Sequence, residues 1–439
     1  MSRFGLHPDP NALPGTRPAG GLFGSRFLRA VFATLALLAG AAKAASVTID
    51  KDQFFVVDGQ RVFPFFFMLA PPVDGRTPAG ADAWRELKQY GTVFHHCNVL
   101  PGQWGAAGEA RIDRMLERSA ETGLLCAVAI RDLDAPRPGD SATENELRRV
   151  VARYKDHPGL GIWKGSDEPE WGKVAPERCR RFYDIVHRMD PRHPVWLIQA
   201  PRGTAASLER YDAACDIAGL DIYPVSYPPG RHSHFPNKSL SVVGDYTRWI
   251  REIHGNARPV VMCLQVCWSG VANPERTLRF PTFPEQRYMC YQAIINGARG
   301  LLYFGADYQA CLNERDRALG WNWTYYDRVL KPVLDELRAD GPLYPALVAS
   351  DSKVPVTVEG ADDVEFTFRE TAQAAYLIAG KREGSTVQVR FGSLPAWMRE
   401  GQVLFEEPRK VAVSKGSFQD WFGPNEVHVY RFENTRRGE

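Results

Sequence analysis

Between Phe63 and Asp335 short apolar runs alternate with stretches in which hydrophobic residues recur every three to four positions. The short runs predict strands at Pro64 to Leu69, Thr92 to Cys97, Leu124 to Ile130, Gly161 to Ser166, Val195 to Gln199, Ile217 to Ile222, Val260 to Val266 and Gly300 to Phe304. Their near-continuous hydrophobicity fits parallel strands covered on both faces. The longer stretches predict helices, with Ile112, Met115, Leu116 and Ser119 forming one buried stripe. Ser141 with Glu144 reads as a capping box, and Pro176 as a first helical residue ahead of Cys179, Phe182, Ile185, Val186 and Met189. Eight such β/α units predict an α/β chain built on a closed (β/α)8 barrel over residues 63–340. A dinucleotide fold is disfavoured, because no GxGxxG loop follows the first strand.

The pattern changes on either side of the barrel. Residues 45–62 predict a hairpin turning at Asp58-Gly59 and plugging the barrel's lower end. Residues 341–439 switch to period two, as in Val364, Phe366 and Phe368, then Val387, Val389 and Phe391, then Val427 and Val429, which predicts a small β-sandwich. Residues 1–44 read as a signal peptide: Arg26 and Arg29 precede an apolar run from Ala30 to Ala42, and Ala42-Lys43-Ala44 suits cleavage before Ala45. A secreted or periplasmic location is therefore expected. The polar stretch from Ser2 to Ser25 is long for a leader, which also fits a start assigned too early or an uncleaved anchor.

Charge narrows the partners. Lys and Arg total 54 against 52 for Asp and Glu, a formal net charge of +2, so no basic field is present for nucleic acid. The export reading likewise brings no integral membrane partner. Eight cysteines in 439 residues match neither a disulfide framework nor a zinc pattern, and Cys263 and Cys267 read as small buried hydrophobes. No cofactor and no metal is called for, since a His-His-Asp set from His95 and His96 lacks recognisable ligand spacing.

In a (β/α)8 barrel chemistry sits where strands end, and the fourth strand ends in Ser166-Asp167-Glu168-Pro169-Glu170. Three acids beyond an apolar strand and beside Trp171 can cap a helix, but in a cleft they can also hold one carboxyl un-ionised. Glu168 is then the candidate proton donor, with Asp167 or Glu170 orienting it or holding a sugar hydroxyl. His95, His96 and Asn98 after strand two, Tyr223 after strand six, Trp268 after strand seven and Asp307 after strand eight are candidates for the wall of a sugar site. The rings among them serve equally well in core packing.

The run Ser166 to Glu170 resembles the Asn-Glu-Pro or Asp-Glu-Pro signature on strand four of the clan A glycoside hydrolases, such as families 5 and 42. Gly219-Leu-Asp-Ile-Tyr-Pro224 is similar to that group's Asp-x-Tyr-Pro element, Asn296 to Phe304 to its eighth strand, and Gly416 to Tyr430 to its β-sandwich terminus. The resemblance spans most of the chain after the leader and implies a carbohydrate substrate and hydrolysis of O-glycosidic bonds. It also implies a nucleophilic Glu ending strand seven, where this chain carries Gln265. A neutral amide cannot form a glycosyl ester, although it can hydrogen-bond a sugar or position a water. Three ways remain to complete the chemistry. Asp221, at the tip of strand six, is the first choice for the second carboxylate, as nucleophile or base. A more distant acid, Asp132, Asp307 or Glu170, can instead serve as base for a water. Otherwise hydrolysis is lost and the barrel is a carbohydrate-binding pseudoenzyme.

Overall fold

The computed structural model describes residues 44–266, 279–305 and 313–434. Cys267, Trp268, Asp307 and the leader up to Lys43 lie outside the described residues.

Three short strands open the described chain: β1 (Val47–Ile49), β2 (Phe55–Val57) and β3 (Gln60–Val62), paired antiparallel in the order β1-β2-β3. The expected two-residue turn joins β2 to β3, with Asp58 at φ 48° and Gly59 at φ 86°, the left-handed pair that matches hairpin twist. A third strand, β1, joins the two that the sequence predicts. One face of this sheet, Val47, Phe55 and Val62, packs into the same cluster as Phe66, Phe94, Ile162 and Trp196 inside the barrel.

The barrel strands are β4 (Phe65–Phe67), β5 (Val93–Val99), β6 (Leu125–Ile130), β7 (Leu160–Asp167), β8 (Val195–Gln199), β9 (Ile217–Ile222), β10 (Val260–Gln265) and β11 (Gly300–Phe304). They close in sequence order, with β11 parallel to β4. Period-two alternation sends Phe66, Phe94, Ile162, Trp196, Val261 and Leu302 inward. Their neighbours Phe65, Val93, Trp163, Val195 and Leu301 face the helices. Phe66 stacks on Phe94 with centroids 4.6 Å apart and tilts against Trp196 at 4.8 Å. Gly161 makes room for this packing, since a Cβ there would meet Phe94 at 2.5 Å.

Helix Pro176–Met189 starts at the expected proline and buries Cys179, Phe182, Ile185 and Val186. Helix Ser141–Tyr154 is capped one residue earlier than the capping-box reading: the Asp140 side chain accepts the Thr143 N–H at 3.1 Å. A carboxylate at that position also complements the helix dipole.

After the barrel, β12 (Thr357–Glu359), β13 (Val364–Glu370), β14 (Ala374–Lys381), β15 (Val387–Gly392), β16 (Glu400–Leu404), β17 (Lys410–Ala412), β18 (Phe418–Phe422) and β19 (Val427–Glu433) form two antiparallel sheets, ordered β12-β15-β18 and β13-β14-β19-β16-β17. Strand β14 of the larger sheet is buried on both faces. Ala374, Tyr376 and Ile378 join the core around the barrel, while Ala375, Leu377 and Ala379 face the smaller sheet. Among the described residues no helix is long and apolar enough to cross a membrane.

Candidate active site

The upper half of the barrel interior changes character. Where the lower half is filled by rings, the strand ends present Lys164, Asp167, Asp221 and Cys263, and a cleft of about 420 Å³ opens above them. Glu168, Trp171, Arg202, Tyr223 and His232 complete the part of its wall that matters here.

Glu168 stands at the tip of β7 in a left-handed backbone conformation, φ 48°. For a residue with a Cβ this costs of order 1–3 kcal/mol and is tolerated where the surroundings over-determine it. Three contacts do so. The Glu168 N–H donates to the Ile198 carbonyl at 2.8 Å, the Gly172 N–H returns to the Glu168 carbonyl at 2.8 Å, and the Val174 N–H bonds the Pro169 carbonyl at 2.9 Å. Pro169 itself disfavours the right-handed helical alternative for the residue before it. The result is a sharp turn off the strand that leaves the Glu168 side chain lining the cleft.

Asp221 reaches the same space from β9. It is 3% exposed, and its Oδ1 has no hydrogen-bond partner outside the pair described next. The carboxyls of Glu168 and Asp221 lie within hydrogen-bonding reach of one another. Burial, then the charge of Asp167, pushes Glu168 above the usual carboxylate range, against partial relief from Asp221, Lys164 and Arg131. Burial also pushes Asp221 well up, reinforced by Glu168 and Asp167. Like charges placed this close disfavour each other's ionisation in low dielectric, so the two carboxyls titrate as a unit.

Asp167, next in the chain, is the opposite case. Burial alone would raise it, but Lys164 at 3.3 Å and Arg131 at 3.1 Å outweigh burial and hold it at about 2. Lys164 is 1% exposed and spends its ammonium on the Gly165 and Ser166 carbonyls as well as on Asp167. Adjacent acids in one strand tip are thus shifted in opposite directions by their surroundings.

The rings hold the rest in place. Tyr223 stacks between His232 and Phe304, with centroids at 4.5 and 5.5 Å. The Tyr223 N–H donates to His232 Nδ1 at 3.2 Å, so the neutral ring carries its proton on Nε2, which faces Asp221 Oδ2 at 3.7 Å. Trp171 is 56% exposed at the rim, with the Arg202 guanidinium 5.7 Å over its ring.

The other expected site residues are dispersed. Gln265 lies outside the cleft lining: its Oε1 accepts the Val225 N–H at 2.9 Å, and its Nε2 donates to the Val225 and Arg279 carbonyls at 2.8 and 2.7 Å. The seventh strand instead turns Cys263 into the cleft, 3.4 Å from the Tyr223 hydroxyl. Glu170 also lies outside the lining, bonding its backbone to Gln199 and its carboxylate to Lys173. Asp132 accepts the Gly102 and Trp104 N–H groups, which ties down a loop. His95, His96 and Asn98 fall within β5 rather than after it, and alternation separates the two histidines. His95 packs against Trp84 at 4.2 Å and lines neither cleft, whereas His96 and Asn98 line a second cleft beside the first.

Sequence reasoning passed over Lys164, Arg131, Arg202 and His232. Lys164 carried a signal, a charge inside an apolar strand. His232 carried none beyond its place in the loop after the Tyr223-Pro224 pair. Among the described residues no group of three His, Cys, Asp or Glu side chains is placed to hold a metal ion.

No protein-family model and no curated protein matches the sequence. Solved structures do resemble the fold. A glycoside hydrolase superposes with a TM-score of 0.57 at 11% identity, covering 89% of this chain and 97% of its own. A glycoside hydrolase family 5 protein from Bacteroides vulgatus gives 0.58 at 12%, covering 90% and 94%. An α-amylase from Geobacillus thermoleovorans gives 0.53 at 10%, covering 86% and 100%. At these identities the likeness is one of fold: a closed eight-stranded barrel followed by antiparallel sheets.

Proposed function

We propose that the chain is an exported glycoside hydrolase that cleaves O-glycosidic bonds of an oligo- or polysaccharide, with Glu168 as proton donor and Asp221 as the facing carboxylate. The observation that carries this reading is the placement of Glu168 and Asp221, two carboxyls raised by burial and by neighbouring acid charge, in the lining of one aromatic-walled cleft. A hydrogen-bonded pair stands closer than the roughly 5 to 5.5 Å of retaining sites or 6.5 to 9.5 Å of inverting ones, so an entering sugar must part the two groups. Glu168, protonated, then donates to the glycosidic oxygen as the C–O bond breaks and its electron pair leaves with that oxygen. Asp221, ionised, takes the anomeric carbon directly as nucleophile or accepts a proton from an attacking water. Asp167 stays ionised throughout and helps hold the proton on Glu168 by its charge. Trp171 offers a platform for the apolar face of a sugar ring.

A second reading, a carbohydrate-binding pseudoenzyme, draws on strand seven: it contributes Cys263 to the cleft and commits Gln265 to the backbone.

Turnover of aryl glycosides and polysaccharides by wild type, Glu168→Gln and Asp221→Asn separates the two. The hydrolase reading expects a loss of about 10²- to 10⁴-fold in Glu168→Gln. Azide rescue of Asp221→Asn would mark a nucleophile. Equal rates in wild type and Glu168→Gln would remove Glu168 from the donor role, and absence of hydrolysis across the panel, with glycans still bound, would favour the pseudoenzyme. Export is tested by sequencing the N-terminus of the mature protein, expected to begin at Ala45.

A further inference from the structure

The second cleft shares Met68 with the first and has a similar volume, about 420 Å³. Trp84, Leu100 and Met115 give it apolar wall, which suits the C–H face of a sugar. Its polar wall is unusual in being unspent. His96 is 95% buried, both ring nitrogens lack partners, and Asn98 Oδ1 is likewise buried without one. Burial pushes the His96 imidazole down to about 3, so it offers one donor and one acceptor. Buried polar groups left unpaired cost free energy, which a ligand hydroxyl would offset.

Arg111 and Arg114 stand over this cleft on helix Ala106–Thr122, one turn apart. Of the helix's other charges, Glu109 and Asp113 meet Arg149 and Arg153, and Arg118 meets Asp82 and Glu121, while Glu117 lies with Arg114 on the wall of a neighbouring hollow. Arg111 and Arg114 make no ion pair or side-chain hydrogen bond among the described residues. Among the described residues Asp74 is the single acid of the lining, which Arg111 and Arg114 leave with an excess of positive charge. A guanidinium fork matches a carboxylate or a sulfate and gains nothing comparable from a neutral hydroxyl.

We propose that this second cleft is a subsite for an anionic sugar, a uronate or a sulfated residue, whose charge meets Arg111 and Arg114 while its hydroxyls meet His96 and Asn98. The inference rests on the glycan reading of the neighbouring cleft and adds to it the class of substrate, an acidic polysaccharide with a charged unit seated beside the scissile bond. Since Met68 walls both clefts, one chain can occupy both.

Calorimetric binding of galacturonate, mannuronate and glucuronate-containing oligosaccharides, sulfated galactan oligosaccharides and neutral cello- and xylo-oligosaccharides tests it, on the full chain and on Arg111→Gln/Arg114→Gln. Both arginines are exposed, so the double variant should fold. The expected result is that one anionic series binds at least about tenfold tighter than the neutral ones, loses that advantage at high salt, and loses it in the double variant while neutral oligomers are unaffected. Whether the carboxylate or the sulfate series does so names the anion. Anionic oligomers that bind no tighter than neutral ones, or a double variant that weakens both alike, would overturn the proposal. Binding is read apart from turnover. A chain that binds acidic oligomers through Arg111 and Arg114 yet hydrolyses nothing keeps the subsite and loses the hydrolase; one that hydrolyses neutral glycans and ignores the arginine changes does the reverse.

Discussion

The fourth and seventh barrel strands, β7 and β10, end on the same rim with side chains of nearly equal size, and the fold treats them oppositely. Gln265 is fully satisfied: three backbone contacts use its oxygen and both amide hydrogens, so it fastens the loop after β9 to the segment at Arg279. Glu168 is held in left-handed backbone, raised in pKa, and placed in the lining of a cleft beside a more deeply buried carboxyl, Asp221. One site has discharged its free energy into the scaffold; the other stores it. Gln265 is structural in this chain, whereas Glu168 keeps its carboxyl free of the scaffold and beside a cleft.

Exchanging the two chemistries is the strongest way to break this contrast. Glu168→Gln should abolish at least 99% of hydrolysis, about a hundredfold or more, with little change in melting temperature. Gln265→Glu should restore no activity and should cost about 2–4 kcal/mol of stability in chemical denaturation, because a carboxylate would face the Val225 and Arg279 carbonyls with no proton to donate. A gain of activity in Gln265→Glu would invert the comparison.

Asp221→Asn sharpens it through pH. Asp221 holds its proton to higher pH in the folded chain than in the unfolded one. The stability from that uptake is complete below the ordinary carboxylate range and is lost as pH rises through the folded value. The neutral amide removes this loss, so the variant should be more stable than wild type by about 1–2 kcal/mol at pH 7 to 8, with the difference vanishing near pH 3, while activity falls. Equal stability at both pH values would mean that Asp221 is not desolvated. The smallest effect belongs to Trp171→Ala. Losing one exposed ring is worth about 1 kcal/mol, read as a KM raised roughly fivefold with kcat unchanged.

Much of the framework is legible in the sequence because parallel strands covered on both faces need unbroken apolar runs. The expected Val195 to Gln199, Ile217 to Ile222 and Gly300 to Phe304 coincide with β8, β9 and β11. The first strand, Phe65–Phe67, is shorter than its run, although the Pro64 carbonyl and the Met68 N–H on either side of it still bond Leu301 and Tyr303 of β11. The acids of the site are legible as residue types and their partnership is not. Asp221 meets Glu168 only through closure of the barrel, which sets the β7, β8 and β9 ends side by side. Nor does any local signal foretell positive φ at Glu168, where neither Gly nor Asn stands. Gln265 misleads for a related reason: its role depends on two backbone segments that no single-strand pattern brings together. His95 and His96 look equivalent in sequence, and strand alternation alone sends one into the packing and the other to a cleft.

The central claim is that one carboxyl stays protonated at neutral pH because burial and neighbouring acid charge hold Glu168 and Asp221 above the usual carboxylate range. Infrared difference spectra of wild type against Glu168→Gln and against Asp221→Asn at pH 7 read this directly. The account predicts a protonated-carboxyl C=O band in wild type that weakens in each single variant, because removing either carboxyl relieves the other of its charge while burial still holds it above the usual range. Spectra in which both single substitutions remove only ionised carboxylate would contradict it.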